Sequence, residues 1–286
     1  MSSGAALFFG VGVGRCGTMA IANALAAEPG VMCTHEGKVR RGETSGEQVL
    51  PFLTLENRVA YEWPERAAEI FARLRGEMPA IAARTGALHI GDVAYNYAPF
   101  IAAIGTTFPK ARLIAFARSG VDFVRSATLA AGEDATPVGW APLGKSLSAV
   151  ERYVELGRLA PRQSDPLAAR WESLDHLARN AWLWAETNRI IFEAVATRPA
   201  GSTYVLRFEE FFRDPRTNYR ALREFLGLRG EPPPAALESF DRPINRREAK
   251  ILGPAESWST SARAQFEEFA GAMMRQLGYA SPQESR

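Results

Sequence analysis

The chain has 286 residues, of which 47% are hydrophobic and 23% charged, with a formal net charge of +2. These are ordinary globular values, and they leave room for one large α/β domain or two smaller ones. The near-neutral balance argues against a general nucleic-acid or membrane-surface role, so any anion site must be local. No apolar run reaches the about 18 residues a membrane-spanning helix needs, and no basic, apolar leader precedes the first strand. Two cysteines make no disulfide framework and point to a reducing cytoplasm. The three histidines, His35, His89 and His176, stand far apart without the spacing of a zinc site, so no metal is expected.

The first informative stretch comes at once. Ala5 to Val11 is an apolar run that reads as a buried parallel strand, and it breaks at Gly10, Gly12, Gly14 and Gly17. A helical pattern with Ile21, Ala24 and Leu25 follows. Strand, glycine loop and helix together hold a phosphate: the glycines let backbone N–H groups turn inward, and the helix start adds partial positive charge. Arg15 adds a planar fork of donors for anionic oxygens. Two familiar loops do not fit. Gly17 is followed directly by Thr18, without the Gly-Lys-Ser/Thr of a P-loop, and no strand ends in an acidic residue roughly 20 positions on to hold a ribose.

Gly30 to Thr34 reads as a second strand ending at His35-Glu36, and Gly37 to Trp63 as an irregular segment over the strand ends. Pro64 starts a helix with Ala67, Ile70, Phe71 and Leu74 on one face. Leu88 to Asp92 reads as a third strand, with a helix near Pro99 to Ile104 after it. Arg112 to Ala117 is a clear buried strand that ends at Arg118-Ser119-Gly120, and the helix after it carries Ser126, eight positions beyond Arg118. Both side chains can reach one phosphate across that loop. Ala131 to Pro166 is loop with one helix around Ser148 to Leu159, and a long helix is expected from Pro166 to Ala196, its tryptophans forming core. Thr203 to Phe208 is the last strand. Asp214-Pro215 caps the next helix, which ends at Gly227. Arg246, Arg247 and Lys250 form a local basic cluster, and a last amphipathic helix spans about Ser261 to Leu277. Strands alternating with helices predict an α/β fold: a single domain over 1–280 with a mostly parallel sheet of four to five strands, and a polar tail over 281–286.

Taken together, these landmarks resemble the sulfotransferase family that uses 3′-phosphoadenosine 5′-phosphosulfate (PAPS), a P-loop-like fold. Gly14-Arg15-Cys16-Gly17-Thr18 is similar to its 5′-phosphosulfate loop, and Phe116 to Ser126 to its 3′-phosphate motif. Arg207-Phe208-Glu209-Glu210-Phe211, then Asp214-Pro215 and Phe225 to Leu228, resemble its C-terminal landmark, and Trp258 with Leu277-Gly278-Tyr279 its ending. The resemblance implies that Gly14, Arg15, Cys16, Gly17, Thr18 and Met19 hold the 5′-phosphosulfate. Arg118 and Ser126 would hold the 3′-phosphate, with Arg246, Arg247 and Lys250 closing over it. Arg15 would also stabilise charge on the leaving phosphate. The implied reaction is in-line transfer of a sulfuryl group to an acceptor hydroxyl, with adenosine 3′,5′-bisphosphate (PAP) as product and no metal required.

A hydroxyl acceptor must lose a proton to a carboxylate or imidazole. Glu36, 21 positions after Arg15 at the end of the second strand, is the favoured base over its neighbour His35, since successive strand residues point opposite ways. A salt bridge from Glu36 to Lys38, Arg40 or Arg41 is the structural alternative, and Asp92 is a weaker candidate for orienting acceptor or base. Cys16 and Met19 depart from the family's hydroxyls. In an electropositive helix-start pocket, Cys16 would be unusually acidic and oxidisable. The acceptor is expected to be a small molecule, with a carbohydrate or lipid-linked hydroxyl favoured by analogy. Two other readings stand beside this one: a P-loop kinase or other nucleotide phosphotransferase, and a non-catalytic nucleotide-binding protein.

Overall fold

Apolar runs that end in glycine or a turn become the strands of one twisted sheet. The computed structural model describes residues 4–39, 46–129, 137–241 and 251–280. Its central strand, β1 (Ala6–Val11), is buried from Phe8 onward, which is why the run carries no polar alternation. The glycine loop leads into α1 (Thr18–Ala26), and β2 (Val31–His35) follows. Two-residue strands β3 (Lys38–Val39) and β4 (Glu47–Gln48) add antiparallel pairs beside β2. Next come α2 (Thr54–Glu62), α3 (Ala67–Arg75), α4 (Met78–Thr85) and β5 (His89–Ala94). Then α5 (Ile101–Thr107), β6 (Arg112–Ala117) and α6 (Gly120–Ala127) complete the first half.

The second half holds α7 (Ala149–Leu156), α8 (His176–Ala196) and β7 (Thr203–Arg207). It closes with α9 (Phe208–Phe211), α10 (Pro215–Leu226), α11 (Pro234–Glu238) and α12 (Thr260–Gln276). The sheet order is β4-β3-β2-β5-β1-β6-β7, and the five strands from β2 to β7 pair in parallel. The parallel part has the expected size, and the two short antiparallel strands are additional. After β1 the chain builds β2 and β5 on one side, then β6 and β7 on the other. The crevice where the direction reverses, at the carboxyl ends of β1 and β6, is where ligands bind in open α/β sheets.

Several elements differ from the sequence reading. Gly37 to Trp63 is not irregular throughout, because it contains α2. That helix buries Thr54, Asn57, Ala60 and Tyr61, a face too polar to register as an apolar stripe. The helix expected from Pro166 to Ala196 is broken: Pro166–Ser173 is a 3-10 segment, and α8 starts afresh where the Asp175 side chain accepts from the Ala178 N–H at 2.8 Å. The helix expected at Pro99 is likewise a 3-10 segment, Tyr95–Phe100, that runs into α5. The third strand continues to Ala94, which puts Asp92 inside the sheet rather than at its edge. The cap at Asp214 and the left-handed Gly227 that stops α10 stand as expected.

Apolar side chains fill both faces of the sheet. Phe9, Phe71, Tyr97 and Phe100 lie on one side, and Phe8, Ile21, Phe116 and Tyr219 on the other. A third cluster joins α8 to α12 through Trp184, Phe266 and Met274. No helix among the described residues is long and apolar enough to cross a membrane. The far end of α1 is tied down by charge. Buried Glu28 accepts from Arg223 Nε at 2.8 Å, from Arg223 Nη2 at 3.2 Å and from the Tyr219 hydroxyl at 2.9 Å, all on α10. Glu28→Gln leaves the Arg223 charge buried without its partner, and the expected loss is about 3–5 kcal/mol of unfolding free energy in urea titrations. A loss below about 1 kcal/mol would mean that water replaces the carboxylate there.

Candidate functional site

Between β1 and α1 the backbone leaves ordinary geometry. Gly14 and Gly17 have φ of 81° and 86°, and Arg15, which is not glycine, has φ of 54°. Holding a non-glycine residue in the left-handed region costs about 1–3 kcal/mol and persists where surroundings enforce it. A Cβ at Gly17 would lie 2.6 Å from the Phe212 ring, so only glycine fits this turn beside α9. Gly17 also stands at the N-cap of α1, where no side chain caps the helix and no acid occupies the first turn. A helix start of this kind favours an anion through its partial positive charge.

The Arg15 side chain crosses to the other motif. Its Nε donates to Ser126 Oγ on α6 at 2.9 Å. In return, Arg118 Nη1 donates to the Arg15 carbonyl, and the Arg118 guanidinium lies 4.4 Å from the centre of the Phe208 ring. Arg118 Nε is buried with no acceptor among the described residues. Burial lowers the Arg118 pKa from its ordinary range, with Asp122 and Glu209 acting against that fall. The segment carrying Arg118 is fixed from behind. Trp184 Nε1 donates to the Arg118 carbonyl at 3.0 Å, and Glu209 Oε1 accepts from the Ser119 N–H at 2.8 Å. The Glu209 carboxylate is held in turn by the Tyr279 hydroxyl at 3.1 Å. Glu209 and Trp184 are supporting residues that the sequence motifs contained but did not assign.

Arg15, Arg118 and Thr18 line one cavity of about 910 Å³, together with Gly14, Gly17, Met19, His35 and Glu36. Glu36 follows β2 directly and also takes φ of 54°. This turn corrects the strand-alternation argument: His35 and Glu36 both face the cavity, with His35 Nε2 4.0 Å from Glu36 Oε1. His35 is the more buried of the two, and its Nε2 lies 3.2 Å from Thr18 Oγ1 at the start of α1. Lys38, one of the suggested salt-bridge partners, places its ammonium 5.1 Å from the centre of the Phe52 ring. Arg40 and Arg41, the other two, lie outside the described residues, as do Arg246, Arg247 and Lys250.

The turn is fixed by Asp92, which is wholly buried and does not line the cavity. Its Oδ1 accepts from the Gly37 N–H at 3.0 Å and from the Thr34 hydroxyl at 2.8 Å. Its Oδ2 accepts from the Tyr97 hydroxyl at 2.6 Å and from Arg75 Nη2 at 3.2 Å, while Arg75 Nε donates to the same hydroxyl. Burial beside this carboxylate pushes the Tyr97 phenol well above its ordinary range, so the phenol stays a donor. Asp92 thus orients the Glu36 turn from below, and does so from inside the sheet. Among the described residues no cluster of three His, Cys, Asp or Glu side chains could hold a metal ion.

Cys16 does not behave as its position in the loop implied. Its side chain is buried against the sheet rather than lining the cavity, and a Cβ at Gly12 would lie 2.6 Å from its sulfur. Burial pushes the thiol up to about 12, against a smaller lowering from Arg118, so it is neither acidic nor readily oxidised.

The sequence model of the sulfotransferase family matches residues 8–232, a span holding both phosphate motifs and the Glu36 turn. The chain belongs to the sulfotransferase family. Its members are transferases. No curated protein matches the chain. Among solved structures it is similar to a sulfotransferase domain from the curacin biosynthetic pathway at 11% identity and a TM-score of 0.50, covering 98% of this chain and 99% of that one. Sulfotransferase STF1 from Mycobacterium tuberculosis H37Rv matches at 13% identity and 0.51, covering 94% and 77%. Sulfotransferase STF9 from Mycobacterium avium matches at 13% and 0.51, covering 98% and 78%. At such identities these structures speak for the sulfotransferase fold.

Two outcomes follow for this site. Tyr97→Phe removes the donor to Asp92 and the acceptor for Arg75, and should lower stability by about 1–3 kcal/mol in urea titrations. A loss near zero would show that the hydroxyl does not hold the buried pair. A thiol reagent at pH 8 should label neither Cys16 nor Cys33 in the folded protein and both after unfolding, because burial also raises the Cys33 thiol. Rapid labelling of Cys16 in the folded state would contradict its burial.

Proposed function

We propose that this sulfotransferase moves a sulfuryl group from PAPS to an acceptor hydroxyl by in-line displacement, with Glu36 as general base. The observation that carries the reading is the junction of two motifs more than 100 residues apart. Arg15 meets Ser126, and Arg118 meets the Arg15 carbonyl, at the open end of β1 and β6. Two guanidinium groups and an uncapped helix start around one cavity suit a ligand with two separate phosphates. The orphaned Arg118 Nε and the acid-free first turn of α1 both fit such a donor.

In this reading the amides from Gly14 to Met19 and the Thr18 hydroxyl hold the 5′-phosphosulfate, and Arg118 with Ser126 holds the 3′-phosphate. Arg15 would stabilise charge that grows on the leaving phosphate. Glu36 takes the acceptor proton, its carboxylate aimed into the cavity by the Asp92-anchored turn. His35, set between Thr18 and Glu36, would keep the phosphate helix and the base in register. PAPS supplies the activated sulfuryl group, which needs no metal to leave. Met19 lines the same cavity, but its thioether offers no donor, and Cys16 would contribute only its backbone amide. A lipid-linked or carbohydrate hydroxyl is the acceptor class the family resemblance favours.

Calorimetry without metal tests the donor. PAP should bind clearly better than ATP or ADP, and Arg118→Ala should remove the preference. Equal or better binding of ATP would overturn the reading. Glu36→Gln should lower kcat by about 10²–10⁴-fold with PAP affinity unchanged, and His35→Asn should lower it less. Full turnover in Glu36→Gln would move the base to His35 or remove it from the mechanism.

A further inference from the structure

The donor reading uses Arg15 and Arg118. It leaves a third guanidinium on the cavity wall unexplained, that of Arg158, just beyond the end of α7. Arg158 is 6% exposed, and burial lowers its pKa from the ordinary range. Its Nη2 donates to the carbonyls of Pro137 at 3.2 Å and Val138 at 2.8 Å. Its Nε and Nη1 donors find no acceptor among the described residues, and no carboxylate there lies within ion-pair distance. The nearby Glu155 carboxylate instead accepts from the Ala141 N–H at 3.0 Å. A buried guanidinium without an acid partner is costly. Among the described residues the other buried arginines, Arg75, Arg179 and Arg223, each have a carboxylate within 3.2 Å.

Arg158 also stands on the acceptor side. The Tyr95 phenol feels both Glu36 and Arg158, and all three line the cavity. Most of the side chains around them are apolar, Phe52, Val138, Val150, Val154 and Leu159 with the Tyr153 ring, beside the polar Thr54 and Asn57. This surface is open at Val150, which is 73% exposed. A sugar would leave its many hydroxyls facing these walls without partners.

We propose that Arg158 is the acceptor-recognition residue, and that the acceptor is a hydroxylated organic acid with an extended apolar body. Its hydroxyl lies at Glu36, its apolar body along α7 and Phe52, and its carboxylate on the free donors of Arg158. This rests on the sulfotransfer reading above and replaces the carbohydrate or lipid-linked acceptor favoured by resemblance with an apolar hydroxy acid. A charged guanidinium donor of Arg158 suits a carboxylate oxygen, and exposed Val150 on α7 suits an alkyl or aryl chain that arrives partly desolvated.

The test is calorimetric titration of the PAP-loaded protein with matched probes: 12-hydroxydodecanoate against 1,12-dodecanediol, 3-(4-hydroxyphenyl)propionate against its amide, and glucose. At least one acid should bind about tenfold or more tightly than its neutral partner, with glucose weakest. Arg158→Gln should erase the preference while PAP affinity stays unchanged, and Arg158→Lys should keep part of it. Val150→Glu, at a solvent-exposed position that folding does not depend on, should lower acid binding more than neutral binding. Neutral probes binding as well as acids, no acid binding at all, a preference that survives Arg158→Gln, or glucose binding best would each overturn the proposal. Failure of the wild-type protein to bind PAP would instead remove the donor reading on which it stands.

Discussion

One buried carboxylate decides where the candidate base can be. Asp92 sits in the middle of β5, level with Thr34 on β2, and reaches past the end of that strand to the Gly37 amide. With Arg75 and Tyr97 supplying charge and a short hydroxyl bond from the other side, the carboxylate has a partner for every direction it faces. A half-satisfied group of this kind would be worse than an apolar core, and a satisfied one rigidifies its surroundings. The consequence is a turn at Glu36 that leaves strand geometry at once and holds a left-handed residue at the cavity wall. The same network draws in α3 through Arg75 and the Pro51 carbonyl, so the segment before α2 is anchored to the sheet as well.

The half of the cavity at β1 and β6 follows a different logic. Its geometry comes from the reversal of strand order at β1 and β6, which opens a crevice without any special side chain. The glycine loop then lets α1 begin without a side-chain cap. Trp184 and Glu209 fix the Arg118 segment from the opposite side, so the cation is presented by a rigid ledge rather than a surface loop. A site built this way can be pre-formed before ligand arrives, which spares the cost of ordering it on binding.

Much of this was legible in the sequence, for identifiable reasons. The strand at Ala6–Val11, the glycine loop, Arg118 with Ser126, and the cap at Asp214 each carry a local signal: a long apolar run, a positive-φ turn, a fixed spacing or a capping pair. What escaped reading lacked one. The α2 helix hides a buried face of Thr, Asn and Ala. The break before α8 depends on a single capping aspartate inside a continuous helical pattern. The pairing of His35 with Glu36 depends on one backbone angle, which alternation rules cannot supply, and the role of Asp92 depends on partners 5 to 58 positions away. Cys16 misleads because an adjacent cation suggests acidity, whereas complete burial wins.

The contact between Arg118 and the Arg15 backbone has a consequence for how this family member can drift. The glycine loop and the Arg118 segment are not independent modules that happen to face one cavity. The Arg118 side chain braces the strained residue of the other loop, and that residue's own side chain leans on Ser126. A change in either loop alters the scaffold of the other, so their substitutions should be coupled rather than additive. Across descendants of this chain, positions 15, 118 and 126 are expected to change in concert, as a single hereditary unit split across the chain.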